Sequence, residues 1–371
     1  MNSSIIFIAD QWIRPVENQL LSTDLLVIYG AGNFGKDLCQ FAQNKGYKVL
    51  AFLDQKAVPG QILQGVPVLL PDSKELTTRQ KHDSTVLVAI HNRDVDIIPI
   101  ITSLIEMGFE RILNPVELYD IFSDQLGNRF WLTSPLAYKN WQEEIAKVYS
   151  LWEDDTSRSI YMALLTQRIK GDYSVLHCPD PAHQYFPPNL PPWKYPLRLI
   201  DCGAYDGDTF RQMKTQDIAV ESVVAFEPDL ENFKKLSRYI STEWNSPTLL
   251  FPCGVHSTTG QLKFASDGGE GGKLSESGST FIQAVALDDV LNNFHPSLIK
   301  MDIEGAEIEG LMGAQKVIRQ DRPGLAICVY HCPQHLWQIP EMIKKWDCGY
   351  IFYLRTHAYN GFEVVLYTVQ S

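Results

Sequence analysis

Residues 199–210 read LIDCGAYDGDTF and contain the turn that decides how the second half of the chain folds. A short apolar run, a glycine-bearing turn and a helix-compatible stretch follow one another, in the order with which many α/β proteins build a nucleotide site. The glycines of this turn are Gly203 and Gly207. The acidic residues in and beside it are Asp201, Asp206 and Asp208. Because carboxylates repel a phosphate, the pattern favours a ligand of a different charge.

A ligand with cationic groups and no phosphate fits the acidic turn. S-adenosylmethionine has a sulfonium, an ammonium group and no phosphate, whereas dinucleotides and ATP are polyanions. Glu227 ends the next apolar run, VVAFEP, and an acid at that point can accept hydrogen bonds from both ribose hydroxyls. A glycine turn with an acid at the end of the next strand also occurs in NAD sites. The acidic turn therefore favours S-adenosylmethionine.

The strand-like runs after residue 197 predict a sheet. They read RLIDC, SVVAFEP, TLLFPCGV, SLIKMDI, GLAICVYH, YIFYLR and FEVVLYTV. Helix-compatible segments separate the first five runs, which is typical of parallel strands, and the last two lie close together, as an antiparallel pair does. The expected fold is α/β, with a seven-stranded class I methyltransferase sheet that ends in an antiparallel hairpin.

An earlier stretch, residues 25–54, predicts a second Rossmann-like domain. It reads LLVIYGAGNFGKDLCQFAQNKGYKVLAFLD, with the pattern of a strand, a turn, an amphipathic helix and another strand. The residues expected to hold a nucleotide are Gly30, Gly32, Gly35 and Asp54. This turn contains no carboxylate and is followed by a lysine, so it suits a phosphate at a helix N-terminus.

Composition suggests where the domains divide. A proline-rich segment, residues 178–197, contains seven prolines and cannot be a helix or a central strand. We expect a Rossmann-like nucleotide or nucleotide-sugar domain over 1–125, a helical and proline-rich connector over 126–196, and a methyltransferase domain over 197–371.

Charge and cysteine content narrow the partners and the compartment. The net charge is −12, so we expect no nucleic acid partner. Seven cysteines without a C-x-x-C pair favour reduced thiols. The sequence shows neither a signal-peptide pattern nor a run of about 18 apolar residues, which predicts a cytoplasmic protein without a membrane anchor.

Several motifs of the second half resemble the FkbM-type methyltransferases. They read LIDCGAYDGDT, FEPD, VALDDVL, LIKMDIEGAEIEGLMGA, AICVYHCPQHLWQIP and YLRTHAYNGFEVVLY, and they occur in that family's order over about residues 150–371. The resemblance implies methyl transfer from S-adenosylmethionine to a hydroxyl of a saccharide, glycan or related small molecule. The cofactor-binding residues it implies are Asp201, Gly203, Ala204, Tyr205, Gly207, Asp208, Glu227 and Asp302.

An alcohol is a weak nucleophile at neutral pH, so a general base would assist the transfer. The candidates are Asp302, Glu304 and His331, and the sequence does not choose among them. The motif HCPQH places His331 and His335 four residues apart, but Pro333 prevents both from lying on one helix face. We therefore predict no metal site.

The first domain is similar to the N-terminal domain of bacterial sugar acyltransferases that bind UDP-linked amino sugars. The resemblance rests on residues 27–55, GVPVL and VLVAIHN, while Asn33 and Phe34 depart from that family's usual residues. It implies a nucleotide or nucleotide-sugar ligand, and a homodimer contact is the other use left open. Two alternatives remain for the whole chain: an NAD-dependent oxidoreductase and a non-catalytic nucleotide-sugar binding protein.

Overall fold

The computed structural model describes residues 25–265, 273–274, 280–291 and 293–370. These residues form two compact units. Within the described residues, the first unit comprises 25–146, Tyr161–Cys178 and Ala358–Phe362. The second comprises Lys147–Ile160, Pro179–His357 and 363–370.

The first unit is built on a six-stranded sheet of described strands. They are β1 (Leu25–Tyr29), β2 (Lys48–Leu53), β3 (Ile62–Leu63), β4 (Val66–Leu69), β5 (Thr85–Val88) and β6 (Arg111–Leu113). Their order is β3-β4-β2-β1-β5-β6, and all neighbours are parallel except the edge pair of β3 and β4. The chain reverses its direction of winding between β1 and β5. Ligands of such sheets bind at this point, outside the carboxyl ends of the strands.

Six described helices lie between residues 33 and 170, and three of them begin at a side-chain cap. They are α1 (Asn33–Asn44), α2 (Thr78–Asp83), α3 (Ile97–Glu106), α4 (Pro115–Leu126), α5 (Gln142–Tyr149) and α6 (Asp155–Lys170). Asn114 caps α4 and shares a capping box with Glu117, while Asp96 caps α3. The apolar strands and helices enclose a core that includes Val27, Leu53 and Val86.

The second unit contains the remaining elements. They are β7 (Leu197–Cys202), α7 (Asp208–Thr215), β8 (Val220–Phe226), α8 (Leu230–Glu243), β9 (Thr248–Phe251), β10 (Gly254–Val255), β11 (Gly260–Ala265), β12 (Lys273–Leu274), β13 (Thr280–Val285), α9 (Leu287–Val290), β14 (Leu298–Met301), α10 (Glu307–Met312), α11 (Gln315–Asp321), β15 (Gly324–Cys328), α12 (His335–Lys345), β16 (Tyr350–Thr356) and β17 (Val364–Gln370).

Seven described strands form the main sheet of the second unit, in the order β16-β17-β15-β14-β7-β8-β9. Strands β7, β8, β9, β14 and β15 are parallel, and β17 is antiparallel to both β15 and β16. The predicted α/β fold, with a seven-stranded sheet ending in an antiparallel hairpin, is confirmed. Here the winding reverses between β7 and β14.

A small second sheet, which the sequence analysis did not predict, lies within the second unit. Its described strands have the order β10-β13-β11-β12. The run TLLFPCGV, expected to form a single strand, is divided into β9 and β10 around Pro252. Proline has no amide hydrogen to donate to a ladder, which explains the division. No helix among the described residues is both long and apolar enough to cross a membrane.

Gly203, directly after β7, packs against the backbone of Asp302, directly after β14. Its φ of +81° suits glycine, and a Cβ at this position would lie 1.8 Å from the backbone oxygen of Asp302. The neighbour is backbone and has no flexible end that could move aside. A side chain at position 203 is therefore incompatible with this junction.

We expect Gly203→Ala to lower the free energy of unfolding by about 3 kcal/mol or more, through the steric overlap and the strained φ. Urea unfolding followed by tryptophan fluorescence measures the change. Gly260→Ala is the matched control, since its Cβ would meet no described atom within 4 Å. Equal unfolding midpoints for Gly203→Ala and the unmodified chain would contradict this packing.

Candidate active site

The turn after β7 uses its backbone amides internally. The amides of Gly203 and Ala204 both donate to the Phe226 carbonyl, at 3.0 Å each. The Tyr205 amide donates to Glu227 Oε2 at 2.9 Å, and the Gly207 amide donates to the Ala204 carbonyl at 2.9 Å. A phosphate-binding turn directs such amides toward its ligand. These four amides are already bonded within the unit, so they do not form a phosphate cradle.

Glu227 braces this turn from the end of β8. The side chain is buried, and its two oxygens accept from the amides of Tyr205 and Asp229, the latter at 2.8 Å. Burial raises the pKa of Glu227 to about 7. Since a carboxylate oxygen has two acceptor sites, each oxygen retains capacity for a hydroxyl donor.

Asp201 lies beneath the turn and is fully buried. Its Oδ1 is 3.0 Å from the ammonium of Lys300, which also donates to the Gly203 carbonyl and lies 5.1 Å from the centre of the Tyr185 ring. Burial alone would lower the pKa of Lys300, but Asp201 and other nearby carboxylates raise it. In this position Asp201 supports the turn through Lys300.

The other acidic residues of the turn lie at the start of α7. Asp206 forms an ion pair with Arg211, and Asp208 Oδ1 accepts from the Thr209 amide at 2.8 Å. Gly207, with a φ of +95°, precedes the helix. A carboxylate in the first helical turn interacts favourably with the helix dipole. The same charge would repel a phosphate at the start of α7.

Asp302, Glu304 and His331, the three candidate bases, meet at the carboxyl ends of β14 and β15. His331 Nε2 lies 3.4 Å from Asp302 Oδ1 and 3.5 Å from Glu304 Oε2. The exposed fraction is about a fifth for the two carboxylate side chains, at 20% and 22%, and only 2% for the imidazole. The carboxylates can therefore contact a ligand, whereas the imidazole lies behind them.

Glu307, the first residue of α10, joins His331 to His335. Its fully buried carboxylate lies 2.8 Å from His331 Nδ1 and 3.1 Å from His335 Nδ1. Its Oε1 also accepts from the Ile303 amide at 2.9 Å. The two histidines do not share a helix face, because α12 begins only at His335, but both contact the same carboxylate.

The close packing of acids and imidazoles shifts their pKa values. Burial would lower the pKa of both histidines, but Glu307 and Glu304 raise that of His331 well above its ordinary value. Cys332 and Glu307 raise the pKa of His335 to about 9. Burial and the neighbouring Asp302 raise the pKa of Glu304 to about 8. At neutral pH both imidazoles carry a positive charge.

Two further residues at this edge, Tyr185 and Glu363, were not predicted from the sequence as site residues. Tyr185 donates to Asp302 Oδ2 at 2.9 Å, although it belongs to the proline-rich segment. Glu363, directly before β17, accepts from Tyr330 at 3.0 Å and from the Gln184 amide group. The one available signal for Glu363 was an isolated acid at the start of an apolar strand. Nothing local indicated Tyr185.

Two groups in the described part of the chain bring metal-ligating atoms within 4.8 Å of one another. They are Asp302, Cys328 and Glu363, and Asp302, Glu307 and His331. In the second group the Glu307 oxygens already contact two imidazoles and a backbone amide. The absence of a metal stays a prediction.

The first unit repeats the brace of the second. The Asp54 carboxylate, directly after β2, accepts from the amides of Ala31 and Lys56 at 2.8 Å each. Gly35 permits α1 to start close to the turn, since a Cβ there would lie 2.0 Å from the Gly30 oxygen. In both units an acid after the second strand accepts from one amide of the glycine turn. The same acid also accepts from the amide of the residue two positions after itself.

The first turn of α1 differs from that of α7 in charge. It lies wholly within the described residues and has no acidic side chain, and Gly32 at the N-cap supplies no side-chain cap. The Arg129 guanidinium lies 5.0 Å from the Phe34 ring centre and 2.6 Å from Asp37. Open amides at a helix N-terminus suit an anion.

His91 follows β5 at the point where the first sheet reverses its winding. Its ring centre lies 4.6 Å from that of Phe362 and 5.1 Å from that of Trp131. Burial and the nearby Arg129 lower the pKa of His91 to about 3, so the imidazole is neutral. The first unit therefore carries a guanidinium beside the start of α1 and a cluster of aromatic rings around His91.

Two parts of the chain match known family models. Residues 201–352 match the family model of the Methyltransferase FkbM domain, and residues 25–95 match that of the PglD N-terminal domain. No curated protein matches the chain at a significant level.

Solved structures similar to this chain include the Methyltransferase FkbM from Methylobacillus flagellatus KT. It is 22% identical, with a TM-score of 0.81 over 99% of each chain, and this likeness establishes the fold. An rRNA methylase from Streptococcus thermophilus is 14% identical over 47% of this chain and 85% of its own. Its TM-score of 0.29 supports no inference.

Proposed function

We propose a reaction for this chain from two similarities: residues 201–352 match the Methyltransferase FkbM domain, and residues 25–95 match the PglD N-terminal domain. The proposed reaction transfers a methyl group from S-adenosylmethionine to a hydroxyl oxygen of a saccharide or related metabolite. The observation that carries the proposal is the turn after β7, whose amides are bonded internally and whose surroundings are acidic.

The residues at this edge fit S-adenosylmethionine in charge and in hydrogen bonding. Glu227 would accept from the ribose hydroxyls, and the backbone of residues 203–207 would lie against the amino-acid part. Asp302 would lie beside both the cofactor and the acceptor. The cofactor supplies a methyl group activated by a sulfonium cation, which carboxylates attract. Asp201 contributes indirectly, by holding Lys300 under the turn.

The protein's own contribution is to align the acceptor and to remove its proton. We assign proton acceptance to the ionised form of Glu304, which reaches the surface. Its pKa of about 8 makes that form a stronger base than an ordinary carboxylate and means that it becomes more populated as the pH rises toward 8. Asp302 would accept a hydrogen bond from the acceptor and orient it. His331, buried and protonated, is a poor base and would instead hold the two carboxylates in place.

For the first unit we propose a nucleotide or nucleotide-sugar ligand at the glycine turn of Gly30, Gly32 and Gly35. The uncapped start of α1, the guanidinium of Arg129 and the aromatic rings around His91 support this assignment. They favour a ligand with both phosphate and a planar base. An NAD-dependent oxidoreductase would use the same turn, so the two readings differ in the ligand that binds.

Replacing Glu227 with Gln should weaken S-adenosylmethionine binding at least tenfold. The glutamine amide has only one acceptor oxygen, so its NH2 group cannot accept a hydrogen bond from the second ribose hydroxyl. In the unmodified chain the affinity should also fall as the pH drops below about 7, approaching tenfold per pH unit. The sign follows because the bound state requires the ionised carboxylate. Isothermal calorimetry between pH 5.5 and 8.5 measures both effects.

Glu231→Gln is the matched control for this experiment. Glu231 is an exposed acid on α8 whose partner is Lys234. Its loss should leave the affinity within twofold. Unchanged affinity in Glu227→Gln, or the same pH dependence in that variant, would remove Glu227 from the cofactor site.

A panel of UDP-sugars and NAD distinguishes the ligands of the first unit. We expect at least one UDP-sugar to bind below millimolar concentration in calorimetry, and to bind several-fold more weakly in Lys36→Gln, which removes a cation from the start of α1. Binding of NAD with no UDP-sugar binding would favour the oxidoreductase. If no compound binds at millimolar concentration, the ligand assignment is wrong.

A further inference from the structure

The proline-rich segment is part of the methyltransferase unit. The Tyr185 amide donates to Gln212 Oε1 of α7 at 3.1 Å, and Gln212 Nε2 donates to the Ala182 carbonyl at 3.2 Å. Within the segment, the Trp193 indole donates to the Tyr185 carbonyl at 2.9 Å. These bonds fix the backbone around Tyr185 on both sides.

Trp193 anchors the same segment to the main sheet. Its ring lies against Gly324, the first residue of β15, where a Cβ would be 2.6 Å from the ring atoms. Trp193 and Tyr185 are both buried. A large aromatic side chain packed on a strand in this way contributes substantially to stability. The position of Tyr185 relative to β14 and β15 is therefore defined by packing.

The Tyr185 side chain reaches the carboxyl ends of β14 and β15. Its hydroxyl donates to Asp302 Oδ2 at 2.9 Å and lies 3.9 Å from Cys328 Sγ, while its ring faces the ammonium of Lys300. Burial raises the pKa of Tyr185 above its ordinary value, so the phenol keeps its proton at physiological pH. It acts as a permanent donor to Asp302.

Asp302 is consequently held from two directions. Tyr185 contacts Oδ2, and His331 Nε2 lies 3.4 Å from Oδ1. Glu304 also lies close to His331, at 3.5 Å. Of the two carboxylates, Asp302 is the one that accepts a hydrogen bond from Tyr185. The arrangement restrains one carboxylate more than the other.

We propose that Tyr185 is a positioning residue of the methyl-transfer site, which fixes Asp302 so that this carboxylate orients the acceptor while Glu304 receives the proton. This inference rests on the proposed methyl transfer. It places a residue of the predicted connector among those that shape the reaction. The role of Tyr185 is exerted through Asp302 and requires no contact with the substrate.

The test compares Tyr185→Phe with Tyr350→Phe in the full-length chain. Tyr350 is also buried and donates a hydrogen bond, to the Pro323 carbonyl at 2.7 Å. Each variant thus loses one buried hydroxyl, and the midpoint temperature of thermal unfolding should fall by a similar amount in both. The direct readout is the 13C resonance of the Asp302 carboxyl carbon, assigned by its disappearance in Asp302→Asn.

We expect the Asp302 resonance to shift in Tyr185→Phe and to stay unchanged in Tyr350→Phe. With the acceptor identified for the methyl-transfer reaction, kcat should fall about tenfold in Tyr185→Phe, while KM for S-adenosylmethionine stays within twofold. A resonance that is the same in Tyr185→Phe and in the unmodified chain overturns the proposal, as does an unchanged kcat.

The proposed methyl transfer and the positioning role of Tyr185 can fail independently of each other. If S-adenosylmethionine does not bind the unmodified chain, the proposed function is wrong, while the resonance still reports whether Tyr185 holds Asp302. If the cofactor binds and the resonance does not respond to Tyr185→Phe, the function stands and the positioning role falls.

Discussion

The ammonium of Lys300 and the carboxylate of Asp201 meet across two adjacent parallel strands, and the geometry of the site depends on this buried ion pair. The two residues are direct partners in the register of β14 and β7, at the place where the sheet reverses its winding. Lys300 also donates to the Gly203 carbonyl, so it ties the turn after β7 to the strand that directly precedes Asp302. Removing one member of such a pair typically costs about 3–5 kcal/mol, because the other charge stays buried without compensation.

The two units use one backbone device and give it different surroundings. Asp54 and Glu227 each accept from one amide of a glycine turn, and each also accepts from the amide of the residue two positions after itself. The difference lies at the start of the next helix, which has Asp208 in the second unit and no acid in the described first turn of α1. Charge beside the turn, more than the glycine pattern, therefore separates the two sites.

Much of the fold could be predicted because its signals are local. Apolar runs of strand length marked β7, β8, β14 and β15, and the turn residues between them followed simple steric rules. Gly203 and Glu227 were placed correctly at the ends of their strands. The small sheet of β10 to β13 was missed because β10 lies inside a run that looks like a single strand, and because β10 and β12 are only two residues long each.

The candidate site was harder to predict, because several of its contacts join residues far apart in the chain. Tyr185 and Asp302 are separated by 117 positions, and no local pattern links them. The proline content of the segment indicated irregular backbone correctly, but it carried no information on where that backbone would pack. The joint contact of His331 and His335 with Glu307 likewise depends on how α10 and α12 approach each other.

The central claim is that a hydroxyl acceptor loses its proton to Glu304 at the carboxyl edge of the second sheet. The most direct measurement incubates the full-length chain with methyl-deuterated S-adenosylmethionine and a pool of nucleotide-sugars and glycans, and locates the label by mass spectrometry. The account predicts a deuterated methyl on a hydroxyl oxygen, and at least a hundredfold less product from Glu304→Gln although that variant still binds the cofactor. Label on a nitrogen, or equal product from Glu304→Gln, would contradict it.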